Sequence, residues 1–161
     1  MGLDAFVFCD CFEKGRLLHP PPVGFAPRVE PDGSLDPGRD DYTLEEILAW
    51  DQWREGFACE HGAGMLLRHR LGNISLIGSL RAELRREAER FPILLKRVVY
   101  SGSHGGDHLP LDVVKELQKE LGELASFKCS SRKSDEFMSG FRIQMLELVA
   151  ASFSVGKPIC F

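Results

Sequence analysis

Phe91-Pro92-Ile93-Leu94-Leu95-Lys96-Arg97-Val98-Val99-Tyr100 runs directly into Ser101-Gly102-Ser103-His104-Gly105-Gly106-Asp107-His108-Leu109-Pro110. The first segment closes on the β-prone residues Val98, Val99 and Tyr100, which predicts a strand over 93–100. The six residues after Tyr100 are three glycines, two serines and a histidine. Such a composition cannot fill a core, so it predicts a loop hung from a strand end. Loops held by rigid elements carry function disproportionately, which makes His104, Asp107 and His108 candidates for a surface that meets a partner.

Amphipathic patterns flank this stretch on both sides. Upstream, Ile74, Ile77, Leu80, Leu84, Ala88 and Phe91 recur at three- and four-residue steps, a helix over 74–90 stopped by Pro92. Its charged residues alternate in sign, which reads as a solvated face with i,i+4 pairs rather than a nucleic-acid stripe. Downstream, Val113, Val114, Leu117, Leu121 and Leu124 form the apolar stripe of a helix over 111–124. Ser130 to Ser134 reads as a polar hinge. A last helix over 135–155 carries Phe137, Phe141, Met145 and Leu148 on one stripe, with Gly156 placed to end it and Pro158 just beyond. Residues 158–161 are then a short apolar strand.

Towards the N-terminus, residues 3–12 predict a strand with Ala5, Val7, Cys9 and Cys11 on one face and Phe6, Phe8, Asp10 and Phe12 on the other. Both faces are largely apolar, as in a central strand. Residues 19–41 are irregular, with turns at Pro31-Asp32-Gly33 and Asp36-Pro37-Gly38, and read as a functional excursion or a mobile flap. Thr43 and Glu46 make a capping box for a helix over 43–56 that carries Trp50 and Trp53. These tryptophans, with Phe57, are ordinary core residues; as exposed anchors, Trp50 and Trp53 would join the partner-contact set. A strand over 64–70 follows. The sum is a single domain over 1–161 of α/β or α+β type, a small mixed sheet (3–12, 64–70, 93–100, 158–161) packed by three to four helices.

The net charge of −4, from 20 basic and 24 acidic residues, disfavours non-specific nucleic-acid binding. No apolar run approaches the roughly 20 residues of a membrane span, and no secretory pattern is visible, so no membrane partner is expected. Five cysteines, an odd number, read as reduced thiols in a cytoplasm.

Cys9-x-Cys11 and Cys59-x-His61 could supply four soft ligands for tetrahedral zinc. The usual zinc signature wraps the ion with a longer spacing, and a C-x-C on a strand does not wrap it. Buried cysteine is also a common core residue, so the ordinary reading has no cofactor and zinc is the alternative. His61, His69, His104, Asp107 and His108 accompany no hydrolase, metalloprotease or nucleotide motif. Ser101 and Ser103 near His104 make no triad without a positioning acid and an oxyanion hole. No catalytic residue is assigned and the chain does not read as an enzyme; a small metal-dependent hydrolase with His104 as base is a further alternative. The ordinary role of Asp107 is to cap the following helix or stabilise the turn.

Several short features carry a family likeness. Met1-Gly2-Leu3 leads directly into a β-run, Arg90-Phe91-Pro92 precedes an apolar stretch, and Glu116-Leu117 and Glu123-Leu124 punctuate the helix after the Gly/Asp loop. The terminal helix closes on Gly156-Lys157-Pro158-Ile159-Cys160-Phe161. In these the chain resembles small bacterial proteins grouped with the immunity proteins of polymorphic-toxin systems. The likeness spans about the first ten residues and 80–161, leaving 13–72 as an insertion or divergence. It implies a cytoplasmic, non-enzymatic protein that neutralises a cognate toxin by occlusion.

Overall fold

Leu3, Ala5 and Val7 alternate with half-covered neighbours and are fully buried, the period-two pattern of a strand with one face on a core. This strand, β1 (Gly2–Phe8), sits at the centre of the computed structural model, which describes residues 2–161 apart from the side chain of Phe57. Met1 and the Phe57 side chain, both used in the sequence reading, lie outside the described residues. Two further strands, β2 (Arg28–Val29) and β3 (Leu35–Asp36), form a separate small hairpin. The main sheet adds β4 (Met65–Asn73), β5 (His108–Leu109) and β6 (Ile159–Cys160) in the order β4-β1-β6-β5. Each described pairing is antiparallel, where a mixed sheet was expected; the α/β layering itself agrees with the sequence.

Among the described residues, α2 (Ile74–Leu84), α3 (Leu111–Glu123) and α4 (Arg132–Val155) pack in the core of Leu3, Ala5 and Val7, while α1 (Leu44–Gln52) packs its Trp50 in a separate cluster with Phe25 and Leu35. Leu80, Leu84, Val114, Leu117, Leu121, Phe141, Met145 and Leu148 meet the sheet in the principal core. The capping box at α1 is formed as predicted: the Thr43 side chain accepts from the Glu46 N–H, and Glu46 accepts from the Thr43 N–H at 2.8 Å. Gly156 ends α4 in the left-handed conformation. Among the described residues no helix is long and apolar enough to cross a membrane.

Three segments depart from the sequence reading. The predicted strand over 93–100 is a helical turn, Leu94–Val98, whose buried Phe91, Leu94 and Val98 follow a helical step. Glu120 of α3 caps it, accepting the N–H groups of Ile93 at 2.8 Å and Leu94 at 2.9 Å. The predicted helix over 74–90 ends as an α-helix at Leu84 and continues as tighter turns broken at Glu87. The polar segment 130–134 is no hinge: Ser131 accepts from the Ser134 N–H and starts α4 three residues earlier than expected.

The excursion over 19–41 is docked on the second face of the sheet. The Lys157 ammonium donates to the Gly33 carbonyl at 3.1 Å, and the Cys160 thiol to the Asp32 carbonyl at 3.0 Å. The predicted turns are present, with Asp32 accepting from Ser34 N–H and Asp36 from Gly38 N–H, each at 2.8 Å. Trp53 Nε1–H donates to the His19 carbonyl at 3.0 Å, and Trp50 stacks between Phe25 and Trp53 at 5.1 and 5.0 Å. Both tryptophans are therefore core, and the expectation that they face a partner is corrected.

Candidate metal centre

β1 stops at Phe8, four residues short of the 3–12 span that the sequence pattern suggested. Beyond it the chain turns: Lys14 N–H donates to the Asp10 carbonyl at 3.0 Å and Arg16 N–H to the Cys11 carbonyl at 2.7 Å. Buried Asp10 holds this turn through ion pairs to Arg16 and Lys14. Cys9 and Cys11 are thus not two thiols on a flat strand. They bracket a bend, so the C-x-C segment does wrap the space before it.

The second half comes from the corner after α1. One wide helical turn, Trp53–Phe57, delivers Ala58 and Cys59, and His61 precedes a single tight turn at 62–64. Cys9 N–H donates to the Gly64 carbonyl at 2.7 Å and binds the two segments together. Within the corner Ala63 has φ of 51°, a left-handed conformation that costs an L-residue about 1–2 kcal/mol. Such strain collects where the surroundings over-determine a site.

The result is a cluster of three thiols and one imidazole. The donor atoms of Cys9, Cys11, Cys59 and His61 all lie within 4.8 Å of one another. Cys9 Sγ and Cys59 Sγ are 3.7 Å apart, Cys11 Sγ is 3.3 Å from His61 Nδ1, and Cys59 Sγ is 4.0 Å from that nitrogen. A tetrahedron with zinc–sulfur bonds of about 2.3 Å has sulfur–sulfur edges of about 3.8 Å, and sulfur–nitrogen edges of about 3.6 Å. The observed separations bracket those lengths. Burial pushes the Cys9 thiol up, and burial followed by the neighbouring thiols of Cys9 and Cys59 pushes the Cys11 thiol up to about 12. A divalent cation inverts that balance, since a coordinating thiol is deprotonated outright.

A cavity of about 30 Å³ is lined in part by Cys9, Cys11 and Cys59. Its wall continues from Cys9, Cys11 and Cys59 past Phe8 and Leu17 to Glu13, Arg54 and Lys157. Lys157 is buried and pairs with the Glu13 carboxylate at 2.8 Å.

The glycine-rich loop is a different kind of structure. His104 Nδ1 lies 2.9 Å from the Asp107 carboxylate, and Nε2 lies 2.9 Å from the Val98 carbonyl. Tyr100 donates its hydroxyl to the same Asp107 oxygen, and His104 packs between the rings of Tyr100 and Phe161. The Tyr100 hydroxyl, then His104, hold the Asp107 carboxyl below its ordinary range. Gly106 N–H donates to the Phe161 carbonyl, and Phe161 N–H to the Asp107 carbonyl, each at 2.9 Å. The His104 side chain is 7% exposed and both its nitrogens are engaged, so it offers no free base for hydrolysis. Asp107 does not cap α3, which begins behind Pro110 without a side-chain cap. His108 spends its backbone on β5, pairing with Cys160. The loop locks the C-terminal strand through these backbone bonds and the packing of the His104 ring on Phe161.

Of the residues singled out by sequence, Cys9, Cys11, Cys59 and His61 converge, and Trp50, Trp53, His104, Asp107 and His108 do not join them. The missing signal was the end of β1: Asp10 followed by Glu13-Lys14-Gly15 marks a turn already under way at Cys11. Comparison of the chain with family models, with curated proteins and with solved structures finds no match.

Proposed function

We propose that this is a zinc-binding protein whose ion, held by Cys9, Cys11, Cys59 and His61, is structural. The observation that carries the reading is the convergence of four soft donors from two segments fifty residues apart, all within 4.8 Å of one another and with three separations of 3.3–4.0 Å. Three thiolates and an imidazole select zinc among common divalent ions by softness and geometry. Four protein ligands close the coordination sphere, which is the pattern of a structural rather than a catalytic ion. Its work is to staple the end of β1 to the corner after α1.

The test is metal analysis of protein purified with thiols kept reduced. Close to one equivalent of zinc is expected, together with a cobalt-substituted form showing the strong visible absorption of a tetrahedral thiolate site. Cys11→Ser lowers the zinc content, whereas Cys129→Ser, outside the cluster, leaves it unchanged. A metal-free chain whose stability ignores added zinc overturns the reading.

A protein partner is a second reading, supported by the immunity-type likeness and by α1, which leaves Leu44 and Leu48 72% and 60% exposed. Co-expression with each neighbouring gene tests it: rescue from a toxic neighbour supports the reading, and uniformly harmless neighbours remove it.

A further inference from the structure

We propose that Cys9 and Cys59 form a peroxide-sensitive pair: oxidation joins them in a disulfide and expels the zinc ion. This rests on the zinc reading and adds a modification site to it.

Three observations converge. The two sulfurs are already in contact at 3.7 Å, while Cys11 leans on His61 at 3.3 Å. A disulfide needs the sulfurs to close to about 2.05 Å, a movement of one bond length between side chains on two separate segments. A Cys9–Cys11 bridge would instead have to close within three residues. Second, the cavity of about 30 Å³ is lined by Cys9 and Cys59 and also by Glu13 and Arg54, whose side chains are 35% and 39% exposed. A water occupies about 10–15 Å³ on this measure, so a molecule as small as hydrogen peroxide has room. Third, zinc keeps its cysteines as thiolates, the form that attacks peroxide.

The reaction consumes the two thiolates, one hydrogen peroxide and two protons from solvent. One thiolate of the pair attacks a peroxide oxygen; the O–O bond breaks, a sulfur–oxygen bond forms, and hydroxide leaves and takes a proton as water. The second thiolate then attacks that sulfur; the S–S bond forms, the S–O bond breaks, and a second hydroxide takes a proton as water. Two electrons pass from the sulfurs to the peroxide. Zinc changes no oxidation state, but it loses two of four ligands, and Cys11 with His61 cannot hold it. The disulfide then ties the same two segments that the ion tied, and a thiol reductant with zinc reverses the change.

The experiment uses the full chain, first assayed for zinc and then treated with small multiples of hydrogen peroxide. Zinc release is followed with a coloured chelator, and the thiols by intact mass and non-reducing peptide mapping. The expected result is a Cys9–Cys59 bridge rising in step with released zinc, a chain two hydrogens lighter, and full recovery after reduction with zinc present. Cys129→Ser behaves as the parent. Cys59→His keeps four ligands but cannot form the bridge, so its zinc outlasts that of the parent in peroxide. Zinc retained with thiols intact, oxidation to sulfinate without a bridge, or a bridge to Cys11 or Cys129 overturns this inference alone. A chain that holds no zinc before peroxide is added overturns the zinc reading and this one with it.

Discussion

Glu120 shows how one side chain can set the conformation of a segment to which it does not belong. Its buried carboxylate accepts the N–H groups of Ile93 and Leu94 at 2.8 and 2.9 Å and so starts the turn at 94–98. Burial pushes its pKa up, and the two N–H donors pull it back. Glu120→Ala leaves both donors unpaired in the interior, at about 1–3 kcal/mol each less what water recovers. A loss of about 2–3 kcal/mol in urea unfolding is expected, and a loss below about 0.5 kcal/mol would show that the cap is dispensable. Glu83 performs a related task at the joint between α2 and α4. It accepts from the Ser130 hydroxyl, from Ser130 N–H at 3.0 Å and from Arg86 at 2.7 Å, which hold its carboxyl at about 2. The folded pKa is depressed, so its contribution is complete above the ordinary value of 4.5 and is lost as pH falls towards about 2. Glu83→Gln therefore costs about 2 kcal/mol at pH 7, and the gap between variant and parent narrows on titration from pH 4.5 towards 2. A gap of constant size over that range would remove the charged hydrogen bonds as its cause. Neither residue carries a signal in the sequence, because a glutamate on an amphipathic helix looks solvated until a distant segment is laid against it. His104 misled for the same reason: whether its ring faces solvent or the Val98 carbonyl depends on where Phe161 arrives.

Elements were legible where the hydrophobic period and the stop signals agree. The Thr43–Glu46 box, the Pro110 and Gly156 boundaries, and the central position of β1 follow from local chemistry and stand in the structure. The segment 91–100 was misread because β-branched composition at Val98 and Val99 outweighed the spacing of Phe91, Leu94 and Val98. That spacing is helical, and Pro92 suits the first turn of a helix as well as it breaks the one before. The C-x-C pattern was misread in the opposite sense, by extending period two past the true end of β1. Residues 19–41 look structureless by composition because their order comes from contacts with the sheet. Gly38 is a sharp probe of that order. Its φ is 99°, and a Cβ there would sit 2.3 Å from the Ala26 carbonyl oxygen. Gly38→Ala must shift backbone rather than a flexible side-chain end, at a cost of about 2 kcal/mol or more. Phe25, next to Ala26, stacks on Trp50, so the same variant is expected to change tryptophan fluorescence before global unfolding. Unchanged emission would show that the excursion does not transmit the strain.

At the scale of the molecule, the buried apolar side chains among the described residues fall into one large core and two small satellites. The principal core unites β1 with α2, α3, α4 and the terminal strand. The thiol cluster of Cys9, Cys11 and Cys59 lies at the end of β1, and Trp50, Trp53 and Ala58 form a third cluster beyond it. Leu17 packs against both satellites and so joins the thiol cluster to the aromatic one. Small clusters stabilise weakly by area alone, and that is where a metal cross-link has most effect. Zinc at about a thousand times its dissociation constant adds roughly 4 kcal/mol to whatever unfolds with the site. The consequence is a graded response rather than uniform loosening. A strong chelator, with thiols kept reduced, is expected to lower the first thermal transition and to raise amide exchange through 9–64. Exchange in α2, α3 and α4 stays near its starting rate, since their contacts run through the principal core. Restored zinc returns the protection of 9–64. Equal loosening of all four helices would mean that the satellites and the core unfold together, and that the ion stabilises one cooperative unit instead of fastening one part of the molecule to another.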